Sequence, residues 1–422
     1  MTGPLSHLVA IEMTLAIQGP GAGLYLRDMG ADVIKVEPPL GDGSRYSRGI
    51  NNELPLDTPG SQFVSMNRGK RSVCVDIHTP LGLTAVKAML KDADIFLSNY
   101  RIPALEKMGL GYENIKSLNP RITYATASGF GPAGPDANKP MLDGAAIARG
   151  GLASVTGMPD GGPITPGAMI GDGAGGMQFA LGIVTAIASR ERTGKGQWVQ
   201  TSALGAQLWM QSWELCQVWM TGKQLKRSGP HYTNVYAPYG IYETADGDHF
   251  LLAVAMTNEA WDAFWIFAGD PIEAGNPAWD SPRKRFGAGA TEESAKAIQE
   301  KLRMVFKNRT TADWEEFLAT QHEMIYQRVQ NYDDIRIDPQ VIANRYVESV
   351  KVKNVGETPV VGNLISFSDT PASIKGGAPE LGADTESVLT SLGFTNDDIK
   401  SVVEHADNER RMALADRVVD EK

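Results

Sequence analysis

The stretch Pro140-Met-Leu-Asp143-Gly-Ala-Ala-Ile-Ala-Arg-Gly-Gly151 sets one acid, Asp143, among apolar and small neighbours. Two roles suit a carboxylate so placed. It can cap the helix that follows by accepting an unpaired backbone N–H, or it can act as a nucleophile kept ionised by the helix N-terminus. The two are compatible. A turn-rich loop, Gly129-Phe-Gly-Pro-Ala-Gly-Pro135, precedes it, and the Gly150-Gly151 pair lets another backbone or a ligand approach closely. A second set of residues suits anion binding. Gly41-Asp42 is followed by Arg45, Asn67-Arg-Gly-Lys-Arg-Ser72 carries three cations within four residues, and Asn99-Tyr-Arg101 is followed by Lys107. Arg forks and Lys point charges are the usual partners of phosphate, so the set can gather around a polyphosphate.

The elements that must position these residues read as an α/β chain. A buried strand over 8–11, a helix opened by Gly19-Pro-Gly-Ala-Gly23 and a strand over 31–37 ending in Glu37 outline a Rossmann-like unit. Its glycine fingerprint is incomplete, because the third glycine position after Gly19 and Gly21 is Leu24. Further strands are predicted at 72–76, 95–97 and 122–125. Between them Thr79 caps a helix with Pro80 at its first position and Leu83, Val86, Met89 and Leu90 on its apolar face. Another helix covers 104–108. Strands separated by such helices predict a parallel sheet covered on both faces. Asp143 follows the last of these strands, near where open α/β sheets place ligands.

The Gly-rich apolar run 173–189 is shorter than the ~20 residues of a membrane span and predicts a buried helix. Next come a strand over 197–202 and a Met- and Trp-rich segment over 208–220, in which Trp209 and Trp213 are four apart and share a helix face. Strands at 239–244 and 249–254 and helices at 259–267, 292–306 and 311–320 predict a smaller α+β domain. Strands at 347–352 and 364–367 and helices at 385–392 and 395–404 follow, the last with a capping box from Thr395 to Asp398. The fold class expected is therefore α/β, a Rossmann-like parallel-sheet large domain with a smaller α+β domain. Its parts are 1–190 for the first part of the large domain, 191–225 for a crossing linker, 226–330 for the small domain, and 331–422 for the return and the rest of the large domain.

Composition narrows the function. The chain has 422 residues, 42% hydrophobic, with a net charge of −10 and no long basic block, which argues against a nucleic-acid or anionic-membrane partner. Cys74 and Cys216 are far apart and lack metal-ligand spacing, so neither a disulfide framework nor a metal site is expected, and a reducing cytoplasm is the expected home. The apolar stretch 8–17 contains Glu12 and has no basic residue before it, unlike a signal peptide.

Several longer motifs occur in a fixed order. They are Ala31-Asp-Val-Ile-Lys-Val-Glu37, Asn67 to Ser72, Asn99-Tyr-Arg101, Ser128-Gly-Phe-Gly-Pro-Ala-Gly134, Asp143, Gly171-Asp172 with Met177, Arg190-Glu-Arg-Thr-Gly-Lys-Gly-Gln197 and Leu381-Gly-Ala-Asp-Thr385. Over most of its length the chain resembles the class III coenzyme A transferases, the formyl-CoA and carnitine-CoA transferase family. The resemblance implies an enzyme that moves CoA from an acyl-CoA to a carboxylic acid, with CoA thioesters as substrates and no permanently bound cofactor. It implies that Asp143 is the nucleophile, passing through an acyl-aspartyl anhydride and an aspartyl-CoA thioester. Swapping CoA between carboxylates without hydrolysis requires such a relay and excluded water. By the same comparison Arg45, Asn67, Lys70, Arg71, Asn99, Tyr100, Arg101, Lys107 and Met177 would line the CoA site. Backbone N–H groups at Gly150 and Gly151, the glycines around 173–176, and Gln18 are candidates for oxyanion stabilisation. The family also implies a dimer of interlocked ring-like chains, or a heteromer with a homologous subunit.

One departure bears on the substrate. Formyl-CoA transferases carry a glutamine at the position matching Ile17, whereas here Gln18 stands one residue later, and their glycine-rich loop is not evident in the smaller domain. Aromatic or branched acids, including substituted succinates, are therefore expected in preference to formate or oxalate, with succinyl-CoA or acetyl-CoA as donors. Trp209, Trp213 and Tyr236 are expected to wall the acyl pocket, a role that competes with a buried interface helix. An α-methylacyl-CoA racemase is the alternative within the superfamily. It needs acid/base groups on both faces of an α-carbon, yet the neighbour of Asp143 is Leu142 and none of the six histidines lies close to it in sequence. A nicotinamide- or flavin-dependent oxidoreductase rests on Gly19, Gly21 and Glu37 and explains none of the later motifs. A non-catalytic partner subunit that binds CoA is the remaining reading.

Overall fold

The computed structural model describes residues 3–55, 57–232 and 235–420, the last six of them by backbone alone. Six strands make the main sheet: β1 (Val9–Met13), β2 (Asp32–Glu37), β3 (Arg71–Cys74), β4 (Ile95–Ser98), β5 (Thr123–Ser128) and β6 (Gln197–Ser202). Every pairing is parallel and the spatial order is β3-β2-β1-β4-β5-β6, the doubly wound order expected of a Rossmann-like unit. Successive residues face opposite sides of each strand. Ile11, Ile34 and Phe96 therefore enter one core while their neighbours Ala10, Val33 and Ile95 enter the other.

Helices cover both faces. Over the first 150 residues the chain forms α1 (Gln18–Asp28), α2 (Ser61–Asn67), α3 (Pro80–Lys91), α4 (Ile102–Lys107), α5 (Tyr112–Leu118) and α6 (Asp143–Arg149). After the short α7 (Leu152–Val155), which belongs to a second unit, come α8 (Ile170–Thr193) and α9 (Ala203–Met210). Thr79 caps α3 as expected, its hydroxyl accepting from Gly82 N. The short α5 escapes a reading of the sequence, because Ile115 is its single buried residue and leaves little periodicity. α8 is long and apolar enough to cross a bilayer, yet half of its apolar window is buried within the protein. Phe179, Ile183 and Ile187 of α8 share a core with Ala22 and Leu26 of α1.

The chain divides into two compact units, one formed by Met1–Gly150, Gly167–Met210 and Arg336–Lys422, the other by Gly151–Pro166 and Gln211–Ile335. Besides α7, the second unit contains α10 (Ser212–Thr221), the antiparallel strands β7 (Gly240–Glu243), β8 (His249–Ala255) and β9 (Met324–Arg328), and the helices α11 (Asn258–Ala268), α12 (Pro282–Arg285), α13 (Glu292–Phe306) and α14 (Thr311–Ala319). Its core is aromatic, with Trp261, Phe264, Trp265, Phe306 and Trp314 fully buried. The remaining elements are α15 (Tyr332–Ile337), α16 (Pro339–Ala343), the hairpin β10 (Val347–Val352) and β11 (Gly356–Val361), α17 (Thr385–Ser391) and α18 (Asn396–Asp420). The capping box before α18 forms, with Thr395 N donating to Asp398 and Asp398 N to Thr395 Oγ1.

Two local expectations fail. The strand expected at 364–367 is irregular, and β10 pairs instead with β11. Pro359 masks β11 in the sequence, and it is tolerated because a two-stranded hairpin has free edges. Helix continuity also fails at Gln211, whose φ of −110° and ψ of 19° separate α9 from α10. Trp209 and Trp213 therefore sit on different helices rather than on one shared face.

Candidate active site

The strand order reverses between β1 and β4, which opens a crevice beyond their carboxyl ends. A cleft of about 490 Å³ lies there. Its walls come from the segment after β1 (Ala16, Gln18), the segment after β4 (Asn99 to Pro103), the segment after β5 (Ser128, Gly129) and Asp172 of α8. The first two segments are stapled together. Asn99 Oδ1 accepts from Leu15 N at 2.9 Å, and its Nδ2 donates to Leu15 O at 2.8 Å. Ser98 Oγ donates to Met13 O at 2.8 Å beneath them.

Asp143 does not face this cleft. It is the first residue of α6 after the cap Leu142, is 5% exposed and lies outside the cleft lining. Its Oδ1 accepts from the backbone N–H of Asp172 at 2.8 Å. The capping reading of Asp143 therefore holds in a different sense: it satisfies the first turn of α8, not of its own helix. The structure does not set Asp143 where the nucleophile reading places it, since its carboxylate is buried and outside the cleft lining. Asp172 is the acid that lines the cleft. It stands in the Gly171-Asp172 motif, to which the sequence reading attaches no role. The signal for it is an acid opening a long, Gly-rich apolar helix.

Three glycines make this arrangement possible. A Cβ at Gly171 would stand 2.9 Å from both Asp143 Oδ1 and Gln207 Nε2. One turn beyond Asp172, a Cβ at Gly175 would stand 2.8 Å from Gln18 Nε2, and one at Gly176 would stand 3.0 Å from Gln18 O. Gln18 is 4% exposed, lines the cleft, and its Nε2 has no hydrogen-bond partner among the described residues. A buried amide donor left unpaired beside a carboxylate is costly unless a ligand uses it. Gly150 closes the far end of α6, roughly 10 Å of helix from Asp143, and its N–H donates to Ala146 O.

Burial and the Asp143 charge push the Asp172 carboxyl up to about 6. It is thus ionised at neutral pH but more basic than an ordinary carboxylate, which favours nucleophilic attack. Removing the neighbouring charge should reverse part of this. The Asp143→Asn variant is expected to shift the acidic limb of the rate profile to lower pH, measured as transfer rate from pH 4.5 to 8 (about the range where Asp172 titrates). Because the new amide would precede Gly144, mass spectrometry must first show that it has not deamidated. An unmoved limb would refute the coupling.

The expected phosphate cluster is largely spent inside the protein. Glu12, Lys35, Lys70 and Asp42 form a buried ionic group: Lys35 lies 3.2 Å from Glu12 and 3.1 Å from Asp42, and Lys70 lies 2.8 Å from Glu12. Lys70 also donates to Pro20 O and to Asn67 Oδ1 at 2.9 Å, so both Lys70 and Asn67 face inward. Burial pushes the Lys70 ammonium down to about 8 despite Glu12. Arg45 is clamped on Glu37 through 2.8 and 2.6 Å bonds and stacks on Phe63. Arg71 opens β3, where Asp32 and Asp384 hold it. Arg45, Asn67 and Lys70 are thus turned to partners inside the protein, while the Arg71 side chain keeps 33% exposure beside its acids. Glu37 is equally occupied, accepting from Arg45, Ser72 and Asp42 N, and so is not available to a nicotinamide ribose. Gly19, Gly21 and Gly23 lie in the opening turns of α1, as expected of the helix they begin. A Cβ at Gly23 would stand 1.8 Å from Glu12 Oε2.

Asn99, Tyr100 and Arg101 do line the cleft, and Arg101 is exposed. Lys139, which no sequence motif singles out, joins them. Lys107 and Met177 are exposed and lie outside its lining. Trp209 is 72% exposed and lies outside its lining, while Trp213 and Tyr236 belong to the second unit, where Trp213 is 55% exposed. Trp213 instead packs its ring 6.0 Å from that of Tyr232. A second cleft, of about 630 Å³, lies beyond the carboxyl ends of β2 and β3 and shares Tyr100 with the first.

The switch-point crevice of this doubly wound sheet, where open α/β sheets bind ligands, thus holds the Asp172 carboxylate and the Gln18 amide donor. The family model described as CoA-transferase family III matches residues 5–385, and the chain belongs to that family. Among its relatives is the succinyl-CoA–D-citramalate CoA-transferase of Chloroflexus aurantiacus, 31% identical over 399 residues, covering 94% of this chain and 96% of the relative. The beta subunit of succinyl-CoA–L-malate CoA-transferase from the same organism is 30% identical, covering 95% and 97%. Among solved structures, a CAIB/BAIF family protein from Brucella suis superposes with a TM-score of 0.81 at 27% identity, covering 93% of this chain and all of that one.

Proposed function

We propose that the protein transfers coenzyme A from succinyl-CoA to a substituted succinate, with Asp172 as the nucleophile. The observation that carries the reading is the placement of Asp172 in the switch-point cleft, beside the unpaired Nε2 of Gln18 and against the buried charge of Asp143. An Asp172 oxygen attacks the thioester carbonyl, the C–S bond breaks, and CoA leaves as thiolate, giving an acyl-aspartyl anhydride. The thiolate then attacks the aspartyl carbonyl, releasing the donor acid and forming an aspartyl-CoA thioester. The acceptor carboxylate attacks that carbonyl, and the expelled thiolate finally takes the acceptor's acyl group, freeing Asp172. No net proton is consumed. Gln18 Nε2, which lines the same cleft and has no partner among the described residues, is assigned the donor role toward the oxyanion at each addition.

The acceptor class rests on the cleft lining and on the relatives. Arg101 and Lys139 supply cations for a second carboxylate, and Thr126, Ser128, Gln200 and Thr201 are polar. The succinyl-CoA transferase relatives named above act on D-citramalate and L-malate, which are acids of this type. A dimer is part of the proposal. Trp209, Trp219 and Met220 expose 72%, 73% and 82% of their surface, side chains of the kind that interfaces cover, and one relative is a beta subunit.

The test is trapping during turnover. With succinyl-CoA, hydroxylamine is expected to convert Asp172 to a hydroxamate located by peptide mass spectrometry, and a label at Asp143 instead would overturn the assignment. In a panel of acceptors read by the same method, substituted succinates are expected to outrun aromatic acids, formate and oxalate. Formate or oxalate leading the panel would reject the acceptor class.

A further inference from the structure

The turn from β1 into α1, which carries Gln18, is gripped at both ends by the buried ionic group. Glu12 is the hub: its Oε1 accepts from Thr14 Oγ1 at 2.7 Å and lies 3.2 Å from Lys35 Nζ, and its Oε2 lies 2.8 Å from Lys70 Nζ. Each ammonium then reaches one end of the turn. Lys35 donates to Thr14 O at 2.8 Å on the strand side, and Lys70 donates to Pro20 O at 2.9 Å inside the first turn of α1. The helix can come this close because residue 23 is glycine, where a Cβ would stand 3.1 Å from Lys70 Nζ. Between the two grips Ala16 holds a φ of 68°, which a residue with a Cβ rarely adopts, and it lines the cleft with Gln18. Such strain persists only where the surroundings over-determine it.

We propose that Lys70 is a positioning residue for the reaction, fixing the first turn of α1 and, through it, the Gln18 amide in the cleft. This role rests on the CoA-transfer reading. Burying Lys35 and Lys70 with Glu12 and Asp42 costs desolvation that close pairing only partly repays, so stability over an apolar core does not account for the group. Its geometry does. Three of the bonds that leave it end on Thr14 or Pro20, on either side of the strained turn. Gln18 Nε2 has no partner among the described residues, so the backbone beneath it sets where the amide points. A donor to a developing oxyanion works only when it is placed beforehand.

The test is a double-variant cycle on the full chain, read by steady-state kinetics with succinyl-CoA and a substituted succinate. Gln18→Ala is expected to lower kcat about 100-fold or more, the scale of a lost oxyanion donor. Lys70→Met is expected to lower kcat about tenfold or more with both KM values unchanged, because a small displacement of a reacting group acts on rate and not on binding. The two losses should not multiply. Within Gln18→Ala, adding Lys70→Met should cost no more than about twofold, whereas a merely destabilised protein would lose the same factor in both backgrounds. Lys70→Met leaves a buried acid short of a cation, so Glu12→Gln with Lys70→Met is made beside it, which keeps Lys35 and Asp42 paired at 3.1 Å. That pair variant should show the same loss of kcat. Losses that multiply, KM values that rise while kcat holds, or wild-type kcat in either Lys70 variant overturn the positioning role and leave the transferase reading standing. Wild-type kcat in Gln18→Ala removes the donor and its positioning residue together. If the wild type transfers no CoA, the reading and this role both fail.

Discussion

Replacing Asp172 with alanine is expected to lower CoA transfer by about 10⁴-fold or more, the scale on which covalent catalysts lose rate with their nucleophile. At about 1.4 kcal/mol per decade this is on the order of 5.5 kcal/mol of transition-state stabilisation. CoA itself should still bind, because the lost carboxylate attacks the thioester carbon and holds neither the nucleotide nor the pantetheine arm. Alanine is the better variant, since an amide at that position would precede Gly173 and could regenerate aspartate by deamidation. The buried neighbour provides the contrast. Asp143→Ala keeps the nucleophile but leaves the N–H of Asp172 without its 2.8 Å acceptor, so it should retain measurable transfer. Equal, complete loss in both variants would mean that the two carboxylates act as one unit. Full activity in Asp172→Ala would discard the mechanism.

The largest effect on stability is expected at Glu12. Its carboxylate is fully buried and meets both Lys35 and Lys70. In Glu12→Ala two ammonium groups remain buried with Asp42 as the nearest acid, at 3.1 Å from Lys35. Breaking a buried pair from one side costs about 3–5 kcal/mol, because an uncompensated charge is left in the interior. Urea unfolding near neutral pH should report a loss of that size. The pH dependence has a definite sign. Lys70 is already held at about 8 in the folded protein, below its ordinary 10.5. Without Glu12, which raises it, the folded value falls further. Between the variant's value and that of the wild type, the folded variant binds fewer protons than the folded wild type. Its stability therefore rises more steeply with pH across that window. The deficit of Glu12→Ala should narrow as pH climbs toward about 8. A deficit below about 1 kcal/mol, or one that widens over that range, would show that the buried group is solvated or otherwise compensated.

Much of the architecture was legible from local pattern. Strand β6 and helix α13 fall on the residues whose periodicity predicts them, Gln197–Ser202 and Glu292–Phe306. The succession of strands and helices up to Ser128 implies a parallel sheet, and the ordered motifs identify the family. These features are short in range, since a cap, a period or a motif carries its own signal within a few residues. What the tertiary structure alone decided are the partners of charges. Lys35 and Glu12 are 23 residues apart, yet the parallel register of β1 and β2 sets them side by side. Arg45 and Lys70 were thus paired with buried acids, while Arg101 and Lys107 stayed exposed. The same holds at the reaction centre. Asp143 and Asp172 are 29 residues apart and both stand in the first turn of a helix beside small residues, yet the sequence pointed to Asp143 alone. Only the packing of α6 against α8, through a glycine at 171 that leaves room for one carboxylate, turns Asp143 inward and Asp172 toward the cleft.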